Sequence, residues 1–284
     1  MILPLYRIAS PVWRIAPTFL KESLGNKLFH PDSLVSRLFP NRMKIVGVKW
    51  GIAKGMRMSL NLRYERHYFL GIHELGVQRT LAKFVRPGMN AYNLGAHIGF
   101  FALALINLVK SGGEILAFEP HPQVRERLVN NIFLNGLKGR VRVEDCAIGD
   151  FDGPTNFSLG FSDTQGRFED LSAAKPESSI RVNCRRLDTY VEKDGPPPDF
   201  ILMDVEHAEG RVFRGMARIL ERYRPVILVE MHGPDSIRDA WIELGKHDYL
   251  LASIPDLKVL PSWNGIHYGH YLAAPRSFFD WKEL

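Results

Sequence analysis

A chain of 284 residues with 45% hydrophobic and 24% charged residues has the composition of an ordinary folded protein, which excludes a disordered or fibrous polypeptide. Its formal charge of +6 is spread along the chain rather than gathered into a basic stripe, so no nucleic-acid partner is expected. Two cysteines, Cys146 and Cys184, fit neither a disulfide framework nor a zinc site, and we expect buried thiols in a reducing, cytoplasmic compartment.

The N-terminal residues are apolar but do not have the order of a signal peptide. Residues 1–20 are interrupted by Arg7, Pro11, Arg14 and Pro17, and no stretch of the chain reaches the ~20 apolar residues that span a bilayer. We expect residues 1–60 to be an extension that packs on the domain or contacts a membrane surface or a partner through residues 1–20. Residues 61–284 are expected to form the main domain.

Strand and helix signals alternate from about residue 90, which is the pattern of a parallel sheet covered by helices on both faces. Strands are predicted at 91–94, 114–118, 141–147, 155–159, 199–205, 225–231, 249–254 and 270–274. Helices are predicted at 98–109, 123–134, 212–223 and 236–245. The polar stretch 160–179 is either a substrate loop or a flexible insertion. An α/β fold follows from this alternation.

The first of these strands runs into a glycine-rich turn, Asn-Leu-Gly-Ala-His-Ile-Gly, over residues 93–99. Such a turn between a strand and a helix lets backbone approach a ligand closely. Glu119 closes the next strand, about 20 residues on, where an acidic side chain can bind both hydroxyl groups of a ribose. Together these features indicate a nucleoside-binding site.

The turn departs from the dinucleotide pattern G-x-G-x-x-G. With Gly95 as the first glycine, His97 and Phe100 occupy the second and third positions, and both side chains crowd the place of a pyrophosphate. A cofactor with ribose and adenine but no phosphate, such as S-adenosylmethionine, tolerates this turn. A nicotinamide-dependent oxidoreductase is the disfavoured alternative.

Several motifs in order make the chain resemble the FkbM family of S-adenosylmethionine-dependent methyltransferases. The matching segments are 68–74, 85–88, 93–99, 117–122, 131–137, 147–150, 186–188, 204–209 and 227–232. The resemblance implies a Rossmann-like class I methyltransferase fold, with a seven-stranded, mostly parallel sheet and an antiparallel last strand.

The resemblance also implies the residues that hold the cofactor, which lie at the carboxyl ends of the first strands. Gly95, Ala96 and Gly99 are expected at the methionine end, Glu119 at the ribose and Asp145 at the adenine. The full implied set is Glu74, Asn93, Gly95, Ala96, Gly99, Glu119, Pro120, Asp145 and Asp204.

Four positions differ from the usual family pattern. Asn93 stands in place of an Asp, His97 in place of an Asn, Leu202 in place of a Lys, and His207 in place of a Gly. These differences leave open an unusual substrate, or a non-catalytic scaffold protein that binds nucleosides.

Methyl transfer requires the protein to align the acceptor and to remove its proton. Acids and imidazoles follow the fourth and fifth parallel strands, and they are Asp204, Glu206, His207, Glu209, Glu230 and His232. His232 is the first choice for general base because an ordinary histidine pKa of about 6.5 suits proton abstraction near neutrality. Asp204 is expected to hold or deprotonate the acceptor and Glu206 to orient it.

Other roles are open for the same residues. Glu209 is alternatively a charge in the first turn of a helix, and His207 a helix cap. Asp204, Glu230 and His232 could also ligate a divalent cation such as Mg²⁺, which would acidify an acceptor hydroxyl. Aromatic residues in 261–268 either stack on a sugar or serve packing. The sequence thus predicts an O-methyltransferase whose acceptor is a hydroxyl of a sugar, glycan or related small molecule.

Overall fold

The computed structural model describes residues 39–159, 166–168 and 179–279. The chain divides into two compact units, Met1–Leu75 and Gly76–Leu284. The predicted boundary at residue 60 falls inside a strand of the first unit, while the predicted membrane- or partner-contacting residues 1–20 lie outside the described residues. Among the described residues, no helix has the length and apolarity needed to cross a bilayer.

The first unit contains a small antiparallel sheet that the sequence patterns did not predict. Strands β1 (Met43–Gly47) and β2 (Arg57–Asn61) pair in this sheet, and helix α1 (Arg66–Leu70) follows. Alternate residues of β2, Met58 and Leu60, are fully buried, so one face of the strand packs inward.

The main sheet of the second unit has seven strands in the order β12-β13-β11-β10-β3-β4-β5. They are β3 (Ala91–Leu94), β4 (Ile115–Phe118), β5 (Val141–Glu144), β10 (Phe200–Met203), β11 (Val226–Met231), β12 (Tyr249–Ser253) and β13 (Gly269–Pro275). β13 runs antiparallel to both β11 and β12, whereas the four pairings between neighbouring strands from β11 to β5 are all parallel. The predicted seven-stranded, Rossmann-like fold with an antiparallel last strand is confirmed.

Helices follow most of these strands. They are α2 (Leu75–Phe84), α3 (Phe100–Val109), α4 (Pro122–Leu134), α5 (Leu187–Lys193), α6 (Glu209–Gly215), α7 (Ala217–Arg222), α8 (Pro234–Lys246) and α9 (Arg276–Phe279). Every residue of β3, β4 and β10 is buried, so the sheet is covered on both faces. The single helix predicted over 212–223 is two helices, α6 and α7, which separate at Met216.

A second sheet of four strands, in the order β6-β9-β7-β8, was not predicted as a sheet. Its strands are β6 (Cys146–Ile148), β7 (Gly153–Leu159), β8 (Gly166–Phe168) and β9 (Ser179–Arg185). The strand predicted over 141–147 therefore belongs to two sheets and divides at Asp145. Most of the predicted loop 160–179 lies outside the described residues.

Both cysteines are buried free thiols, as expected. Burial raises the pKa of Cys146 to about 12 and that of Cys184 to about 11, so both stay protonated at neutral pH.

The turn after β6 lies directly against the end of α6. A Cβ atom added at Gly215 would sit 1.8 Å from the carbonyl oxygen of Gly149, whereas nothing lies within 4 Å of a Cβ at Gly245 in α8. We expect Gly215→Ala to lower the free energy of unfolding by at least about 2 kcal/mol through overpacking. Gly245→Ala should raise it by up to ~1 kcal/mol through helix propensity.

Urea denaturation of the two variants beside the natural chain measures this difference. Equal midpoints for the two variants would show that α6 does not depend on this close backbone contact.

Candidate functional site

The turn that follows β3 has three residues in the left-handed backbone region. Gly95 has φ 77°, His97 has φ 50° and Gly99 has φ 92°. The backbone N–H groups of Gly95 and Ala96 donate to the carbonyl oxygen of Phe118 at 3.0 and 2.9 Å, which binds the turn to the end of β4. Helix α3 begins at Phe100, directly after the turn.

Gly95 also lies against the end of β10, and this closeness explains why a glycine occupies the position. A Cβ atom there would come within 1.8 Å of the carbonyl oxygen of Asp204, and the amide of Asp204 donates to the carbonyl of Leu94 at 3.0 Å. Only glycine combines the positive φ with this closeness. The turn and Asp204 are therefore adjacent, as expected for two predicted site residues from distant parts of the chain.

Glu119 is 7% exposed and its carboxylate accepts two backbone hydrogen bonds. Oε2 accepts from the N–H of His97 at 2.8 Å, and Oε1 accepts from the N–H of His121 at 2.9 Å. Burial raises the pKa of Glu119 to about 7, although both N–H groups act in the opposite direction. The acid at the end of β4 is thus tied to the glycine turn, and it is ionised only in part at neutral pH.

The His97 difference from the family pattern is accounted for by this hydrogen bond. The turn uses the backbone N–H of residue 97, which every residue except proline supplies. Histidine, like asparagine, is enriched among the non-glycine residues that adopt a positive φ. Exchange of one for the other therefore preserves the turn.

Asn93 and Leu202 are register partners on the adjacent parallel strands β3 and β10, so their side chains share one face of the sheet. Both are buried, Asn93 with 3% of its surface exposed. The family pattern has an Asp and a Lys at these two positions, and a buried carboxylate needs a positive partner. Loss of both charges together leaves neither ion unpaired. The Nδ2 atom of Asn93 has no hydrogen-bond partner among the described residues.

Only some of the remaining predicted cofactor residues lie at the glycine turn. Ala96 and Pro120 are buried beside the turn and Glu119. Asp145 is exposed and lines a cavity of about 410 Å³ whose walls include Asp152 and Arg185 but neither the turn nor Glu119. Glu74 belongs to the first unit, where its Oε1 lies 3.2 Å from Nε2 of His73. The roles of Asp145 and Glu74 stay predictions.

A second cluster of polar side chains surrounds His232, which directly follows β11. Its imidazole is 2% exposed. Nε2 lies 3.5 Å from Oε2 of Glu206, 3.8 Å from Oδ1 of Asp204 and 3.9 Å from Oε2 of Glu230. The predicted acids after β10 and β11 therefore converge on one nitrogen atom.

The other nitrogen of His232 is held by Glu209. Nδ1 lies 2.6 Å from Oε1 of Glu209, which also accepts a hydrogen bond from the N–H of His207 at 3.2 Å. The hydroxyl of Ser236 donates to the second oxygen of Glu209. Glu209 does lie in the first turn of α6, as one reading of the sequence predicted, but it is fully buried and orients an imidazole.

The ordinary pKa predicted for His232 is wrong. Burial acts to lower the pKa of His232, but the hydrogen bond and charge of Glu209, together with the charges of Glu206 and Asp204, raise it to about 9. The imidazole therefore carries a proton at neutral pH in this structure. The three acids lie within residues 204–209, between the end of β10 and the start of α6, and the sequence gives no measure of how closely they approach His232.

The backbone next to the cluster is strained. Glu206 has φ 44° and His207 has φ 66°, two successive non-glycine residues in the left-handed region. At residue 207 the family pattern has a glycine, which adopts this conformation without strain. Strain of this kind persists only where surrounding contacts hold it, and here the N–H of His207 is bonded to Glu209.

Three further residues lie near the cluster. Ser236 and His270 were not predicted as site residues, and Tyr268 was predicted only as one residue of the stretch 261–268. Ser236 orients Glu209, and Nε2 of His270 lies 3.4 Å from Oε2 of Glu230. Tyr268 is 71% exposed, and its ring meets that of His232 edge-on with 5.1 Å between the centroids. Of these three residues, only Tyr268 was indicated by the sequence, through the aromatic stretch 261–268.

Comparison with known protein families gives a match that includes the glycine turn. A model of the methyltransferase FkbM domain matches residues 93–251, more than half of the chain. A comparison with curated protein sequences gives no match.

Solved structures of low identity are also similar. A methyltransferase FkbM from Methylobacillus flagellatus KT is 15% identical at a TM-score of 0.41, over 75% of this chain and 59% of that chain. An O-methyltransferase from Bacillus cereus in complex with SAH is 14% identical at a TM-score of 0.45, over 72% and 81%. Fibrillarin from Aeropyrum pernix, with natively bound S-adenosyl-L-methionine, is 12% identical at a TM-score of 0.42, over 67% of each chain.

The register pair of Asn93 and Leu202 predicts a coupled response to charge. Asn93→Asp alone and Leu202→Lys alone each place an unpaired ion in the sheet, and we expect each to destabilise the fold by at least about 2 kcal/mol. The double variant restores a pair and should be less destabilised than the sum of the single variants by ~1 kcal/mol or more. A double-mutant cycle from urea denaturation measures this coupling, and strictly additive effects would contradict it.

Proposed function

The chain belongs to the methyltransferase FkbM domain family, and on that premise we propose that it is an S-adenosylmethionine-dependent O-methyltransferase. The proposed acceptor is a hydroxyl group of a sugar, glycan or related small molecule. The observation that carries the cofactor assignment is the buried carboxylate of Glu119, which the glycine turn holds through one backbone hydrogen bond.

The residues around the turn fit a nucleoside. A carboxylate offers about four lone-pair sites, and backbone N–H groups occupy one on each oxygen of Glu119. The sites that remain can accept hydrogen bonds from the two hydroxyl groups of a ribose. Gly95 keeps the turn free of a side chain, and the buried amide of Asn93 retains donor capacity beside it. These features support binding of S-adenosylmethionine here.

The same turn disfavours a dinucleotide. His97 and Phe100 replace the two glycines that let a backbone approach a pyrophosphate, and Phe100 is buried at the start of α3. A nicotinamide cofactor therefore lacks its phosphate site in this chain.

When bound, S-adenosylmethionine supplies a methyl group on a sulfonium centre, already activated for transfer to a nucleophile. The protein has to position the acceptor hydroxyl and take its proton as the new C–O bond forms and the C–S bond breaks. Asp204 suits this task because it adjoins the turn through Gly95 and its side chain is 46% exposed.

We assign the removal of the acceptor proton to Asp204 rather than to His232, because the raised pKa of His232 keeps its imidazole protonated at neutral pH. His232 then serves as a buried positive charge that holds Asp204 and Glu206 in place, 3.8 and 3.5 Å from its Nε2. Glu206 orients the acceptor. Tyr268, exposed beside this cluster, offers an aromatic face of the kind on which sugar rings pack, which supports a sugar-like acceptor.

Calorimetric titration with S-adenosylhomocysteine tests the cofactor assignment. We expect saturable binding by the natural chain, weakened at least about 10-fold in Glu119→Gln because the amide offers fewer acceptor sites to the ribose. Glu126→Gln, which makes the same change at an exposed residue of α4, should bind like the natural chain. Tight binding of NAD, or equal affinity in the two variants, would contradict the assignment.

Transfer of a labelled methyl group to a panel of small sugars and glycosides tests the reaction. For any acceptor found, we expect Asp204→Asn to lower kcat by about 100-fold or more, the usual effect of a general base, and to leave the S-adenosylhomocysteine affinity within a few fold. The matched control is Asp256→Asn, an exposed residue after β12. Full turnover in Asp204→Asn would remove this role, and cofactor binding without transfer to any hydroxyl acceptor would favour a scaffold protein.

A further inference from the structure

We propose that Asp204, Glu230 and His232 form a binding site for a divalent transition-metal ion, with Zn²⁺ as the tightest ligand. The three residues end or follow β10 and β11, at the edge of the sheet where α/β proteins bind ligands. The binding of the ion stands on these residues alone, and only its role in catalysis rests on the proposed function.

The separations of the ligand atoms match those around a metal ion. Nε2 of His232 lies 3.8 Å from Oδ1 of Asp204 and 3.9 Å from Oε2 of Glu230, and one atom from each residue lies within 4.8 Å of the others. An ion about 2.0–2.2 Å from each atom, the usual range for zinc with nitrogen and oxygen ligands, spans such separations with small side-chain movements.

The nitrogen that faces these carboxylates has no hydrogen bond of its own. Nε2 of His232 is buried and has no hydrogen-bond partner in the part of the chain that the structure describes. A buried polar atom without such a partner is unfavourable. An ion at this position would satisfy the nitrogen and compensate the charge of the buried Glu230 carboxylate together.

Glu209 supplies the outer support that metal-binding histidines usually have. Because a carboxylate can only accept, Nδ1 of His232 donates to Oε1 of Glu209 at 2.6 Å. A metal ion would displace the Nε2 proton that His232 carries without metal, and this arrangement would then leave the lone pair on Nε2, the atom aimed at Asp204 and Glu230. A carboxylate, a histidine and a metal in this order recur in zinc sites.

The donor set selects the class of metal. Mg²⁺ takes oxygen ligands and keeps several waters, whereas imidazole nitrogen suits zinc and its neighbours in the first transition row. One nitrogen and two carboxylates therefore favour a transition-metal ion over the Mg²⁺ that the sequence suggested. The side chain of Asp204 is 46% exposed, so the site is open on that side, as catalytic zinc sites are.

An ion here deepens the proposed function. It would lower the pKa of a hydroxyl group that reaches the open side of the site, so a weaker base would suffice to remove the proton. Asp204 accepts that proton in the metal-free protein. With Asp204 held as a metal ligand, Glu206, whose Oε2 lies 3.5 Å from Nε2 of His232, would take over this role.

Titration of the full chain, free of any tag and treated with a chelator, tests the site with the metals alone. We expect one equivalent of ZnCl2 to bind in competition with a colorimetric chelator, and MgCl2 at millimolar concentration not to displace it. His232→Gln should abolish this binding, and Asp204→Asn, at a partly exposed residue, should weaken it at least 10-fold. Glu209→Gln, which removes no ligand but alters the partner of His232 Nδ1, should weaken it by about 10- to 100-fold.

The matched control is Asp256→Asn, which should bind zinc as the natural chain does. A rise in the melting temperature with ZnCl2 that is present in the natural chain and absent in Asp204→Asn would support the same site without relying on the buried residues. No saturable zinc binding, or equal binding in Asp204→Asn and the natural chain, would overturn the proposal. Because neither cofactor nor acceptor is present, these outcomes are independent of S-adenosylhomocysteine binding.

Discussion

The carboxylate of Glu119 is buried at the end of β4, where two backbone N–H groups and the charge of Arg125 compensate it only in part, and the proposed nucleoside site depends on this imbalance. One N–H comes from His97 in the glycine turn and the other from His121 at the start of α4, so three chain segments meet at one side chain. Burial raises its pKa to about 7 because the two bonds and the Arg125 charge do not fully replace water. Two further donors, such as ribose hydroxyl groups, would complete the set. The proposed nucleoside site is thus a hydrogen-bond network in which the carboxylate of Glu119 keeps acceptor sites for a ligand.

Compared with the family pattern, the interior of the sheet lacks charges at residues 93 and 202, whereas several acids lie at its carboxyl edge. Asn93 and Leu202 are neutral register partners in β3 and β10, at positions where the family pattern has an Asp and a Lys. At the edge, the strained backbone of Glu206 and His207 and the buried Glu209 bring several acids to one imidazole. The structure accommodates each of these differences from the family pattern. No single difference is therefore evidence that activity has been lost.

Much of the fold could be predicted because the strands of the main sheet are short apolar runs between turns and helices. The division of 141–147 at Asp145 could not, since a mixed pattern of apolar and charged residues is compatible with one strand and does not show where a chain passes from one sheet to another. The break between α6 and α7 at Met216 lies beside Gly215, which contacts a distant carbonyl oxygen at Gly149. Within the site, the spacing of residues in the sequence predicted the glycine turn and Glu119. It did not predict the hydrogen bond between Glu209 and His232, because that bond joins side chains from two separate elements.

Proton release during S-adenosylhomocysteine binding is the most direct test of the role of Glu119. Hydroxyl donors favour the ionised carboxylate, so the pKa of Glu119 should fall from about 7 in the complex, and the free protein holds more protons than the complex. Calorimetry in buffers of different ionisation enthalpy should show release of roughly half a proton at pH 7, with affinity that rises as the pH rises. Glu119→Gln should abolish this release. Binding with no proton exchange, or with proton uptake, would contradict the account.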